Sequence, residues 1–204
     1  MSNTAEADLR RSEDLLGQIS PDTPRSHWAK GQLLRAQGRY AEAIPQYDAA
    51  IALDRNLPGA YANLGHSKLL TGSLDEVIPL LEQAIRLSPG DSDRGYWYDI
   101  VGLAHLLQSR TDEAIAWFEK ARSASPGRPI PRVSLAAAYG LIGNSERATA
   151  ELAEARRLSG NPASFSSIVR RRADSGRDSM APNVRALFEA TYDAGLRKAG
   201  MPEE

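Results

Sequence analysis

The chain contains no cysteine in 204 residues, which removes disulfides, thiolate metal sites and cysteine nucleophiles at once. That lack fits a reducing compartment. Imidazoles are nearly as scarce. His27, His66 and His105 are the three available, and each falls in a different segment, so no metal site is expected from them. No phosphate-binding Gly-rich loop, His-Glu-x-x-His helix or Gly-x-Ser-x-Gly elbow is present. An excess of one charge is missing too: Lys+Arg 25 against Asp+Glu 26 leaves a formal net charge of −1, where nucleic-acid binders are usually strongly basic. No apolar run approaches the roughly 20 residues needed to cross a bilayer. The polar stretch Met1 to Arg11 lacks the apolar core of a secretory signal, and Ser2 after Met1 rules out a myristoylation signal. These absences predict a cytoplasmic, non-catalytic protein with no cofactor and no metal, binding neither nucleic acid nor membrane.

What the sequence does have is an internal period. Ala41-Glu42-Ala43-Ile44 returns as Asp75-Glu76-Val77-Ile78, Asp112-Glu113-Ala114-Ile115 and Glu146-Arg147-Ala148-Thr149, at intervals of 34, 37 and 34 residues. Other landmarks keep phase: Gly31, Gly65, Gly102 and Ala136; then Gly38, Gly72, Ser109 and Gly143; then Ala50, Ala84, Ala121 and Ala155. The longer interval places three extra residues in the polar turn Asp91-Ser92-Asp93-Arg94. Small residues at Gly31, Gly65 and Gly102 allow the first helix of each pair to approach the second. Tyr47, Leu81, Phe118 and Leu152 stand one turn beyond Ala43, Val77, Ala114 and Ala148 on the same face, and are expected to fill the gap against the neighbouring pair. The spacing predicts helix pairs over 24–37 and 40–53, 58–71 and 74–87, 94–109 and 111–124, and 130–142 and 145–159. Ser73-Leu74-Asp75-Glu76 reads as a capping box, and Pro45 and Pro79 predict slight bends early in two second helices.

These landmarks match the tetratricopeptide (TPR) pattern, whose period is about 34 residues; the fullest copy is Tyr61-Ala62-Asn63-Leu64-Gly65, followed by Ala84 and Pro89. The chain therefore resembles the TPR family. His27 and Arg132 depart from it in the first aromatic slot, and Lys30 departs at the Leu of Leu-Gly. The resemblance implies an all-α, right-handed superhelical solenoid of paired antiparallel helices. Its groove would be lined by the first helices: Arg25, Trp28, Gln32 and Arg35, then Asn63, His66 and Leu70, then Tyr96, Asp99, Leu103 and Leu106, then Val133, Ser134 and Ala137. Asn63 occupies the place where many TPRs bond a peptide backbone. A chaperone-tail carboxylate clamp is largely absent, because Trp28, Gln32, Tyr96, Ile100 and Ser134 stand where it would need Lys, Asn and Arg. The expected partner is a protein or peptide segment, with self-association as a further possibility.

The expected division is a half-repeat or capping helix over 1–23, repeats over 24–57, 58–94, 95–128 and 129–160, and a linker with an amphipathic helix over 161–204. Val184, Leu187, Phe188, Thr191, Tyr192 and Leu196 form the apolar stripe of that last helix. It is expected to cap the stack, or alternatively to fold back into the groove as an internal ligand. Arg170-Arg171-Arg172 lacks interleaved aromatics and reads as a solvated face or linker. The tail, from Arg185-Ala186-Leu187-Phe188-Glu189 through Gly195-Leu196-Arg197-Lys198-Ala199-Gly200, resembles the C-terminal TPR region of bacterial adenylate/guanylate cyclases, as do Gly95-Tyr96-Trp97-Tyr98 and His105-Leu106-Leu107-Gln108. That resemblance implies a regulatory or partner-binding module without the catalytic domain. A free-standing peptide-binding adaptor and a self-associating structural solenoid are the alternatives.

Overall fold

The computed structural model describes residues 22–161 and 179–201, together with 10, 11, 14 and 165. The expected half-repeat lies almost wholly outside the described residues, as does the triple arginine. All regular structure among the described residues is helical. Two compact units divide after Ser88, at the turn where the sequence carries its three-residue insertion. The six residues 88–93 separate two helices there, against the four residues 54–57 at the preceding inter-repeat turn.

The N-terminal unit holds α1 (Pro24–Ala36), α2 (Tyr40–Leu53), α3 (Pro58–Thr71) and α4 (Leu74–Leu87). Prolines at the first turn of α1 and α3 suit helix starts, where the missing N–H is not needed. The capping box belongs to α1. Thr23 Oγ1 accepts from Ser26 N at 3.1 Å while Ser26 Oγ accepts from Thr23 N at 3.0 Å. The box expected at Ser73 is not formed. Ser73 forms no side-chain cap, whereas the longer Asn144 at the equivalent turn, with similar backbone angles, accepts from Arg147 N at 3.2 Å; the Glu76 carboxylate pairs with Lys68 Nζ at 3.0 Å. Helices α2 and α4 run unbroken through Pro45 and Pro79.

The periodic small residues have two distinct duties. Gly31 lies under the Tyr47 ring of its own pair, so that a Cβ there would fall 2.5 Å from Cε1. Gly65 lies likewise under Leu81, and Gly102 under Phe118. These large residues thus fill space within their own pairs first. Tyr47 also joins Leu34, Ala43 and Leu64 in one buried cluster, which carries it to the next pair. The second series closes the turn inside each pair. Gly38, Gly72 and Gly143 have φ of 75°, 93° and 75°, and Ser109 has φ 61°. One residue later the backbone N–H reaches back to the helix: Arg39 to Leu34 O, Ser73 to Lys68 O, Arg110 to His105 O and Asn144 to Tyr139 O, each at 2.9 Å. This is the Schellman ending, which needs a left-handed residue and therefore favours glycine.

The C-terminal unit holds α5 (Arg94–Leu107), α6 (Thr111–Ala124), α7 (Ile130–Leu141), α8 (Ser145–Leu158), α9 (Pro182–Phe188), a π-helical turn (Glu189–Asp193) and α10 (Ala194–Lys198). The last three form one continuous helical segment. Its buried line is Val184, Phe188, Tyr192 and Leu196, whereas Leu187 and Thr191 of the expected stripe are half-exposed. Residues four apart drift about 40° per step on a regular α-helix. The wider π turn takes up much of that drift and keeps the four side chains on one side.

Candidate functional site

The groove positions expected from the repeat divide between the two units and meet different fates. In the N-terminal unit, α1 and α3 bring a polar set together. Gln32 Oε1 accepts from Tyr47 Oη at 3.2 Å and from Arg35 Nε at 3.3 Å. Arg35 then reaches across from α1 to α3, with Nη1 3.5 Å from His66 Nδ1. The Tyr40 ring lies 6.4 Å from the His66 ring. Burial raises the Tyr40 hydroxyl above its ordinary pKa, and the neighbouring Arg35 charge partly offsets this. Arg25 is exposed, while Gln32, Arg35, Asn63 and His66 are half-exposed. The Asn63 backbone carbonyl accepts from Ser67 Oγ at 2.9 Å, and its half-exposed side-chain amide can donate and accept.

Trp28 is held more firmly. It packs on the cluster around Tyr47 and lies over Gly59, where a Cβ would come within 3.4 Å of the indole Nε1. That N–H is buried without an acceptor among the described residues. Leu70 is 2% exposed and offers a ligand almost no surface; it belongs to the core. Tyr40 was not anticipated as a neighbour of this set, although an aromatic at the start of a second helix, next to the turn, was a usable signal.

In the C-terminal unit the corresponding face is already covered. Tyr96 is half-exposed, but Asp99, Leu103, Leu106, Val133, Ser134 and Ala137 are all buried. The Asp99 carboxylate accepts from Ser134 Oγ at 2.7 Å and ties α5 to α7. Asp99 and Leu103 therefore act in packing, in place of the contact role that helical spacing suggested. The terminal segment lies on these same helices: α9, the π turn and α10 pack on α5 and α7, the first helices of both pairs in this unit. The closest approach is backbone to backbone. A Cβ on Gly195 would collide with the Ala137 carbonyl, and one on Gly140 with the Gly195 carbonyl and, at 3.2 Å, with Ala199 N. Of the two placements open for this helix, the one observed is on the first-helix face. A glycine inside an otherwise good helix-forming stretch was the sequence signal for such an approach.

A third constellation joins the pairs of this unit. Glu151 of α8, 8% exposed, accepts from Arg132 Nη1 of α7 at 2.8 Å and from Arg122 Nη1 of α6. It fixes three helices through two arginines. Among the described residues no cluster of three His, Asp or Glu side chains could hold a metal ion, and no helix is long and apolar enough to cross a membrane.

Comparison with known proteins agrees with this architecture. Residues 31–72 match the family described as TPR repeat, and residues 62–129 the family described as tetratricopeptide repeat. The Cell division cycle protein 27 homolog of Caenorhabditis elegans is 32% identical over 118 residues, 58% of this chain. The chain spans only 15% of that relative's length. Among solved structures, TTC0263, a thermophilic TPR protein of Thermus thermophilus, superposes with a TM-score of 0.68 at 20% identity, covering 83% of this chain and 89% of that one. YrrB, described as a TPR protein with an unusual peptide-binding site, gives a TM-score of 0.58 at 14% identity, covering 92% and 91%. At such identities the two structures speak for the fold. Sequence period, helix pairing, Schellman turns and family matches converge: residues 31–129 of this chain are tetratricopeptide repeats, and the fold is that of TPR solenoids.

Proposed function

We propose that the chain is a non-catalytic protein–protein interaction module whose open recognition surface is the first-helix face of its N-terminal unit. Arg25, Trp28, Gln32, Arg35, Asn63 and His66 form that surface. One observation carries the reading: the first helices of the C-terminal unit carry the chain's own terminal helix, whereas Arg25, Gln32, Arg35, Asn63 and His66 on the first helices of the N-terminal unit keep solvent exposure. A surface that accepts a helix in cis is built to accept a polypeptide, and helix-in-groove docking is a common use of such faces. Leu70, Asp99 and Leu103 drop out of the recognition set because they are buried. The test is a peptide-array screen repeated with an Asn63→Ala/His66→Ala variant of unchanged helical content. Loss of the captured peptides supports the assignment; unchanged binding of every peptide refutes it.

A finer reading assigns the module to a bacterial nucleotide cyclase system in the cytoplasm. It is supported only by the likeness of the Leu187-Phe188-Glu189 and Gly195-Leu196-Arg197-Lys198 tail. The decisive observation is genomic: a cyclase domain encoded in the same or the adjoining gene. The adaptor reading needs no such neighbour. Concentration-dependent mass in light scattering would favour self-association.

A further inference from the structure

We infer that the open first-helix face of the N-terminal unit selects an acidic polypeptide segment with apolar anchors; this rests on reading that face as the binding surface. The charges of this unit are sorted by helix. Helices α1 and α3 carry Arg25, Lys30, Arg35 and Lys68, with His27 and His66, and contain no Asp or Glu. Helices α2 and α4 carry Glu42, Asp48, Asp75, Glu76 and Glu82, against the single base Arg86. The C-terminal unit shows no such sorting: α5 holds Asp99 beside Arg94, and α8 mixes three Glu with three Arg. A one-sign set of first helices is therefore particular to the unit whose face is open.

Three acids of this unit already have partners. Asp22 lies 3.4 Å from His27 Nε2, and Glu42 takes Arg39 Nε at 2.7 Å. Glu76 takes Lys68, which removes that lysine from the exposed face. Arg25 and Arg35 remain, on the same stripe as Trp28 and Gln32, with neither arginine paired to a carboxylate in the described structure. Guanidinium groups recognise carboxylates through two parallel hydrogen bonds. The Asn63 amide can serve the partner's backbone, and the exposed part of Trp28 offers an apolar contact beside them.

The test uses the full chain and fluorescein-labelled short peptides in which Leu alternates with Glu, with Gln or with Lys, read by polarisation across a salt series. The Glu peptide is expected to bind, to weaken as NaCl rises, and to bind about tenfold more tightly than the Gln peptide. The Lys peptide should not compete. Arg25→Glu and Arg35→Glu should each weaken the Glu peptide about tenfold or more. Lys30→Glu is the control: it makes the same charge change about 200° around the helix from Trp28 and should leave binding nearly unchanged. Arg25 is exposed, so its variant tests charge without disturbing the Gln32–Arg35–His66 contacts. Equal binding of the Glu and Gln peptides, or an equal effect of Lys30→Glu, overturns acidic selection while polypeptide binding stands. Failure of all three peptides to bind overturns both readings. A salt-sensitive dimer abolished by Arg25→Glu would overturn an external segment in favour of a second copy of this chain, docked through its acidic second helices.

Discussion

Gly195→Ala offers a test in which two physical effects have opposite signs. Gly195 lies in the helix α10, where alanine is favoured over glycine by about 0.8–1.0 kcal/mol. A terminal helix lying free on the surface would therefore be stabilised. In the structure the new methyl would meet the Ala137 carbonyl, with the carbonyl carbon 2.8 Å away. Those are backbone atoms of α7, which no rotamer change can move aside. Overpacking typically costs about 1–3 kcal/mol, and more when nothing yields. The net expectation is a loss of about 2 kcal/mol, or about 4–8 °C in Tm for a chain of this size. The alternative is detachment of a segment whose Val184, Phe188, Tyr192 and Leu196 are buried, exposing side chains worth about 1.5–3 kcal/mol each in transfer terms. Urea unfolding followed by circular dichroism, with limited proteolysis around Ala181, separates shift from detachment. Gly140→Ala should act alike, because its Cβ meets Gly195 from the other side. The double variant should lose less than the two singles together, since both disturb one contact. If Gly195→Ala is as stable as the parent or more so, the terminal helix does not sit on α7 and the account of the covered face fails.

Ser109 holds a left-handed conformation at φ 61° where its counterparts are glycines; Ser109→Gly should raise stability by about 0.5 kcal/mol after glycine's entropic cost, while Ser109→Ala should give no gain in the same urea titration. Glu151→Ala should cost about 2–3 kcal/mol by stranding Arg122 and Arg132, somewhat below a fully buried pair because those side chains keep 32% and 19% exposure; chemical denaturation reads it directly, and Glu151→Gln should recover part of the loss. Burial raises the Tyr40 pKa, and burial is also the largest cause of the raised Tyr139 pKa. A tyrosine whose folded pKa exceeds its unfolded value contributes stability that is full below pH 10 and is lost as pH climbs through the folded value. Melting temperature should accordingly fall faster above pH 10 in the parent than in a Tyr40→Phe variant, and parallel curves would contradict it.

Legibility in the sequence followed the range of the forces involved. The helix ends were readable to within two residues because they are set locally, by Pro24 and Pro58 at first turns and by Gly38, Gly72 and Gly143 at left-handed turns. The Gly31–Tyr47 and Gly102–Phe118 fits were half-readable: the period marked small and large partners, and their meeting inside one pair needed the packed helices. Ser73 shows the limit in the other direction, since its motif is complete in sequence and its cap is not formed, while Asn144 at the equivalent turn caps without the motif.

The candidate surface was less legible because helical spacing says which side of a helix a residue takes, and burial depends on what lies against that side. Leu103 keeps phase with Gln32 and His66, and Asp99 with Trp28, yet Leu103 and Asp99 are buried. Asp99 is tied to Ser134, 35 positions later, and the helices α5 and α7 that carry both also take the terminal segment. The sequence by itself determined the repeat, the helix pairs, the tight turns and the sorting of charge between first and second helices of the N-terminal unit. Only the tertiary structure decided where the terminal helix goes, and hence which face stays open. Local turns and periodicity are fixed by steric preferences of a few adjacent residues. The docking of a distant helix through Gly140, Gly195 and Ala137 is fixed by backbone contact between segments that the linear order does not bring together.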